Sequence, residues 1–563
     1  MEKFSELKYE RPDFETLNKS MNEMLENLKN AKSYEEFKNT YLELDRITGE
    51  ASTMAVIASV RNTLDTTDSF YEAEDLANNE LFAKLGEVST NISKAILDTP
   101  FRREFEADYG TIVTKDAEVS QKLFKPEIVP LQIKESELSN EYTKLAASCK
   151  TNFRGEECNF YGLLKHMQST DRAERKEAFE AWAALYEGIS DKLDDIYDKL
   201  IAIRTEKAKI LGFDSYIDMI YLNRGRYDYN KDDVECFRKQ VEEIITPACA
   251  KLYEEQRVRL GIDKLEFYDE ELVFADGNAV PNGTKDELVA AAQQMYSELS
   301  NETKEFFDFM VDHELFDLDT RPGKHLGGYC TFLPKYKAPF IFSNFNGTSA
   351  DVDVLTHEAG HAFEAYIASR TLPEAAPIHS TSEINEIHSM SMELFTYPWM
   401  EKFFGDKVDK YRFSHLASAL KCIPYLVSVD EFQHRVFENP SMSAKERRNA
   451  WKEIEHKYMP WRSYDGNSFL EEGGFWMQKQ HIFLYPFYYV DYALAQICSF
   501  EFFGKSLTDR TAAWNDYIRL CKAGGSKGYF ELLELANLHN PFKEGSVEAA
   551  VKVVIDELNK MKY

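Results

Sequence analysis

The chain has 563 residues, 44% of them hydrophobic, which is enough for several cores and excludes a disordered polypeptide. Its formal net charge of −30 repels a phosphate backbone and argues against nucleic acid as a partner. The same charge confers solubility, or it draws cationic peptides to the surface.

The opening residues, MEKFSELKYERPDFE, lack an apolar stretch behind a basic start, so no secretory signal is expected. Leu17, Met21, Leu25 and Leu28 recur at helical spacing, and Ser33 and Glu36 have capping-box spacing ahead of Phe37 and Tyr41. Helical patterning continues through residues 50–110 to a break at Pro126–Pro130. Long charged amphipathic stretches follow at about 170–211 and 231–260. Residues 276–285, DGNAVPNGTK, concentrate turn formers and read as a surface loop. Residues 327–347 are rich in Gly, aromatic and β-favouring side chains, and they predict strands at Tyr329–Leu333 and Phe340–Phe345. Pro334 and Pro339 flank the gap, so a small sheet with an exposed edge is expected, with Phe340–Phe345 a candidate for pairing with an extended peptide. The fold class expected is mainly α, with a small sheet beside the helix described next.

Residues 357–361 read H-E-A-G-H. Val352, Leu355, Ala359, Ala362 and Phe363 give this helix an apolar face, and Thr348 or Ser349 is placed to cap it. His357 and His361 lie one turn apart on the same side and can share one metal ion, while Glu358 can reach a water activated by that metal. Gly360 lowers helix propensity by roughly 1 kcal/mol against Ala, which a close-packed neighbour or a passing substrate would justify. The longer pattern with a third His is absent, since Glu364 and Ile367 occupy the Gly and His positions that would follow. A third ligand must come from elsewhere. The segment TSEINEIHSMSMELF offers Glu383, Glu386, His388 and Glu393, and His379 lies just before it. Glu386, Ser389 and Glu393 share a helix face, so a second helix packed on the first would bring Glu386 to the metal and leave Glu393 to orient a ligand histidine.

Further on, Tyr485, Tyr488, Tyr489 and Tyr492 form a helical stripe, with Pro486 suited to a first turn, which would leave Tyr485 just outside the helix. Gly473 and Gly474 read as a loop ahead of His481. The apolar stretch at 481–503 is interrupted by Pro486, Asp491 and Glu501 and falls short of a membrane span. The eight cysteines are sparse and form no C-x-x-C pair, which fits a reducing compartment. A soluble cytoplasmic protein is expected, and no feature fixes an oligomeric state.

H-E-A-G-H followed by E-I-H-S-M-S-M-E resembles the thimet oligopeptidase and oligoendopeptidase F family of zinc metallopeptidases, the oligoendopeptidase F branch fitting best. KAKILGFDSYIDM (207–219) and HIFLYPFYYVDYALAQ from His481 are similar to further segments of that family. The resemblance covers residues 201–563 as a catalytic region, while residues 1–200 form an N-terminal helical region similar only in being helical. It implies two largely helical lobes around a deep substrate channel that admits short peptides. It implies one zinc ion on His357, His361 and Glu386, with Glu358 as general base in hydrolysis of internal peptide bonds by a zinc-activated water. Tyr489 and Tyr492 match tyrosines that contact the substrate carbonyl, and His481 matches an active-site histidine. The spacing from His481 is one residue shorter than in the mammalian enzymes, so Tyr488 can take the place of Tyr489. The resemblance also implies a mobile loop at Gly473 and Gly474. An exopeptidase on the same fold, such as a dipeptidyl carboxypeptidase, would need a cation for the substrate's terminal carboxylate, and none stands out, so endopeptidase leads.

Overall fold

Side-chain caps start the helices where the sequence places them. The Asp13 carboxylate accepts the Thr16 N–H (2.9 Å) at the head of helix Phe14–Asn30, whose Leu17, Met21, Leu25 and Leu28 are buried. The Ser33 hydroxyl accepts the Glu36 N–H (3.2 Å) and begins helix Tyr34–Leu64. Each satisfies a first-turn donor that the helix itself leaves unbonded, worth about 1 kcal/mol. The computed structural model describes residues 1–563 except 322, 326 and 562.

By its internal contacts the chain forms two compact units, each assembled from three segments. The first comprises Met1–Lys122, Val280–Val408 and Glu501–Leu538; the second comprises Leu123–Ala279, Asp409–Phe500 and His539–Tyr563. Residue 200, where the sequence reading divides the chain, lies inside the 40-residue helix Arg172–Leu211 of the second unit.

The first unit has a helical core, in which Leu17, Met21, Leu25, Phe37, Ile92 and Phe105 pack together, and one small sheet. Counting the short hairpin of the second unit as β1 (Thr151–Phe153) and β2 (Glu156–Cys158), the strands of this sheet are β3 (Phe316–Asp319), β4 (Tyr329–Leu333) and β5 (Ala338–Phe345). β4 and β5 are the two strands the sequence predicts. β3 has no counterpart in that reading, because FDLD is too short and too charged to look like a strand. The strand order is β3-β5-β4, with β5 parallel to β3 and antiparallel to β4. This corrects the expectation that Phe340–Phe345 offers an edge to a peptide. Ile341 is registered with Phe316 on one side and Cys330 on the other, so β5 is the buried middle strand. It packs against helix Ala350–Thr371, which puts the sheet beside the H-E-A-G-H motif.

The second unit is built on helix Arg172–Leu211. Asp171 caps its start (3.0 Å to Ala173 N), and Gly212, at φ 90°, closes it in the left-handed conformation that glycine adopts at least cost. Residues Lys231–Leu260 run as one helix with a π-helical turn at Val241–Ile245, just ahead of Pro247. Proline has no N–H for the ordinary ladder, and the wider turn absorbs the missing bond. Tyr197, Phe432, Trp476 and Phe483 form an aromatic core, with Trp476 5.1 Å from both Tyr197 and Phe432. No helix among the described residues is long and apolar enough to cross a membrane. Among the described residues the architecture is mainly α with two small sheets.

Candidate metal centre

Helix Ala350–Thr371 is buried along most of its length. Its start differs from the sequence reading: the Ser349 side chain makes no cap, and the Asp351 carboxylate instead accepts the N–H groups of Asn346 and Gly347, both at 2.8 Å. Asp351 and Asp353 in the first turn and Arg370 in the last complement the helix dipole. Phe363 stacks on Trp514 (5.9 Å) and meets Phe306 edge-on (5.5 Å), which fixes the rotation of the helix.

The second helix, Ser382–Phe395, lies directly on the first. A Cβ at Gly360 would fall 2.6 Å from Ser389 Cα and 2.7 Å from the His388 carbonyl oxygen, so the motif's glycine is required by close approach. At its far end, Arg510 donates to the Phe395 carbonyl (2.6 Å), and Tyr517 donates to that of His388 (2.9 Å).

This contact brings three predicted residues together. His357, His361 and Glu386 each present a donor atom within 4.8 Å of the others. Glu386 Oε2 lies 3.3 Å from His357 Nε2 and 3.5 Å from His361 Nε2, and the two rings stand nearly perpendicular at 5.0 Å. Ser389 Oγ donates to the same Glu386 oxygen at 3.0 Å. Glu393 Oε1 sits 2.6 Å from His357 Nδ1, so the proton on that nitrogen is held and Nε2 is left to face Glu386. Two imidazoles and a carboxylate so gathered, with one imidazole oriented by a further carboxylate, are a donor set that fits a divalent metal ion.

The charges agree with this. Burial alone would depress the charge on His357, but Glu386 and Glu393 outweigh it and hold its pKa well above the usual histidine value. Burial likewise opposes charge on Glu386, yet the neighbouring histidines hold its carboxyl below the usual range. A proton on His357 thus occupies the place of a cation, and metal binding must displace it. Glu358 is 8% exposed, and burial raises its pKa against the pull of His357 and His361. Gly328 keeps space beside it: a Cβ there would lie 3.3 Å from the Phe342 carbonyl oxygen and 3.8 Å from Glu358 Oε1.

The other candidates stand outside the ligand group. His379 Nδ1 is 3.4 Å from Glu364, and His388 is buried edge-on to Tyr517, its pKa pushed down to about 3 chiefly by burial. Glu383 is buried on the same helix without joining the group.

In the second unit, the structure gathers His481 with four tyrosines. Its ring lies 4.7 Å from Tyr489, 5.6 Å from Tyr485, 5.9 Å from Tyr488 and 6.5 Å from Tyr492. They do not share one helix. Tyr485 to Tyr488 form a non-helical connection, and the helix begins at Tyr489, so Pro486 lies outside it. Phe487 there has φ 61°, a conformation unfavourable for a bulky side chain. Its N–H donates to Gln433 Oε1 (2.9 Å), its carbonyl accepts from the buried Arg226, and Arg226 pairs with Asp491 (2.6 Å). Arg224 donates to the Pro486 carbonyl at 2.8 Å and lies over the Tyr488 ring. Sequence reasoning missed this support, because NRGRYD (223–228) carries no spacing signal linking it to residues more than 250 positions on. Tyr489 is buried against Tyr425 and the Lys479 ammonium, whereas Tyr488 and Tyr492 are half-buried, their rings 5.1 Å apart. Gly473 and Gly474 form a buried turn: a Cβ on Gly473 would fall 2.1 Å from the Arg448 carbonyl oxygen, and one on Gly474 2.5 Å from the Phe469 ring.

Residues 165–551 match the model of peptidase family M3, and residues 4–124 match the peptidase M3 N-terminal domain. The structure of PZ peptidase A with an inhibitor superposes with a TM-score of 0.94 at 46% identity, covering 99% of both chains. A Bacillus anthracis structure assigned to oligoendopeptidase F superposes at 0.90 with 43% identity, covering 100% of this chain and 98% of that one. Group B oligopeptidase PepB of Streptococcus agalactiae is 22% identical over 526 residues, 86% of this chain and 83% of that protein.

Proposed function

The chain belongs to peptidase family M3, and on that premise we propose that it is a zinc-dependent oligoendopeptidase that cuts internal bonds of short peptides. The observation that carries this reading is the convergence of His357, His361 and Glu386, with Glu358 on the same helix beside them. His357, His361 and Glu386 would hold one zinc ion. Bound there, zinc would make a peptide carbonyl more electrophilic and a water molecule more acidic.

The remaining chemistry belongs to the protein's own groups. Glu358, kept in a largely buried position, takes the proton of the attacking water and returns it to the leaving amine. Glu393 holds the His357 Nδ1 proton, so that Nε2 keeps its lone pair for the metal. Tyr492 and one neighbour donate hydroxyl protons to the oxygen of the scissile carbonyl. The partial exposure of Tyr488 and the burial of Tyr489 support Tyr488 in the role that the resemblance assigns to Tyr489. His481, packed against all four tyrosines, keeps their rings in place. Short peptides are the substrates in this reading and nucleic acid is not a partner, given the net charge of −30. Eight cysteines without a disulfide support residence in the cytoplasm.

The test is incubation of the purified protein with unstructured peptides of graded length and one folded protein. Products are read by mass spectrometry, with a chelated sample alongside. Internal cuts in short peptides only, abolished by chelation and restored by zinc, are expected. Absence of cleavage by the zinc-loaded protein would refute the reading.

A further inference from the structure

A second group of donors lies in the second unit, in a region the chemistry above does not use. Glu156 and Cys158 stand on β2 of the short hairpin, where Asn152 pairs with Glu157, and His166 ends the helix Phe160–His166 that follows. One donor atom of each of Glu156, Cys158 and His166 lies within 4.8 Å of the others. Cys158 is buried, and Glu156 is exposed. Gly162 leaves room at the sulfur, since a Cβ there would press to 3.3 Å on Cys158 Sγ.

The support around the histidine repeats the pattern at His357. Glu174 Oε1 lies 2.6 Å from His166 Nδ1, the same separation as Glu393 from His357. Ser169 Oγ donates to the other Glu174 oxygen at 2.9 Å, and Arg154 approaches that oxygen at 3.3 Å. A carboxylate on one ring nitrogen fixes the tautomer that leaves the other nitrogen its lone pair.

We propose that Glu156, Cys158 and His166 form a second metal site, taking one borderline-soft divalent cation such as zinc, with Glu174 as the positioning residue for His166. Thiolate, imidazole and carboxylate together select this class over calcium or magnesium, which take oxygen ligands. Three protein ligands leave a position for water. On binding, the Cys158 S–H bond breaks, the sulfur–metal bond forms, and the proton goes to solvent. The ion ties the hairpin to the end of the following helix and acts as a structural clip. The proposal does not depend on the reading of the His357 centre.

Cobalt(II) separates the two sites spectroscopically. The His357 centre has only nitrogen and oxygen donors, so a thiolate-to-cobalt charge-transfer band reports the second site alone. The full-length protein, stripped of metal and titrated with cobalt, is expected to bind two ions per chain and to show this band. Cys158→Ser should bind one ion and lose the band while keeping peptidase activity, and His166→Gln should do the same. Glu174→Gln should weaken binding of the second ion by about 10–100-fold. One ion per chain without the band would overturn the proposal. A band that persists in Cys158→Ser would also overturn it, by placing the metal on another thiol.

Discussion

Glu393 Oε1 and His357 Nδ1 are 2.6 Å apart, while the opposite nitrogen of the same ring faces Glu386 at 3.3 Å. One imidazole is therefore held by two carboxylates seven residues apart on a single helix. Glu393→Ala should leave the fold intact and weaken zinc binding by about 10–100-fold in competition with a chelating dye. Unchanged affinity would show that Glu393 does not orient His357.

Gly360 gives a prediction whose sign is diagnostic. In an exposed helix, Gly to Ala stabilises by about 1 kcal/mol. Here the added methyl would meet Ser389 Cα at 2.6 Å, so Gly360→Ala should destabilise by about 1–3 kcal/mol, with zinc affinity falling as Glu386 is pushed away. Thermal melting and zinc titration of the variant check both parts.

Glu358→Gln keeps the shape of the side chain and removes its basicity. The variant should hold zinc with wild-type affinity and lose about 10²–10⁴-fold in kcat. A variant with near-normal kcat would remove Glu358 from the proton-transfer role.

The tyrosines are separable by single-atom deletions. Tyr492→Phe should lower kcat by about 10²–10³-fold with a smaller change in KM, as expected for a donor that acts on developing charge. Tyr488→Phe should show a comparable loss and Tyr489→Phe a smaller one, given that Tyr489 is 9% exposed and packs on Tyr425. The reverse order would assign the role to Tyr489.

Glu455 provides a pH-dependent element of stability. It is buried beneath Tyr464 and Trp451, whose indole N–H donates to it at 3.2 Å, and burial pushes its pKa up to about 7 from 4.5. Between those values the folded protein holds a proton that the unfolded chain has released, so stability falls as pH rises through the window. The contribution is at most about 3 kcal/mol. Glu455→Gln should flatten this part of the profile, seen as the difference between the two proteins' urea midpoints at about pH 5 and about pH 8.

The candidate metal centre was legible because its signals are local. H-E-x-x-H sets two candidate ligands by helical period, and the seven-residue spacing of Glu386 and Glu393 places both on the face that meets His357. The shared face of Glu386, Ser389 and Glu393 favoured Glu386 over His388, and the His388 ring packs edge-on to Tyr517 instead. The sheet was half legible. β4 and β5 have strand composition, whereas β3 is identified only by its partner. The aromatic segment misled, since tyrosines spaced at 485, 488, 489 and 492 suggest one helix. The left-handed Phe487 breaks it, held by Arg226 and Gln433 from distant stretches, and no local pattern encodes that.

The three-segment construction of the first unit also sets an order of assembly. Phe363, on the helix that carries His357 and His361, is covered by Trp514 and Tyr517, and Tyr517 also bonds to the backbone of the helix that carries Glu386. Those two aromatic residues are translated about 150 positions after Phe363. At about 5–20 residues per second this is a wait of roughly 8–30 s, during which the nascent chain carries the motif without its covering layer. A ribosome that stalls before Trp514, or a protease that clips there, yields a chain whose motif lacks its covering layer, so the hydrolase becomes competent only after Trp514 and Tyr517 have been made.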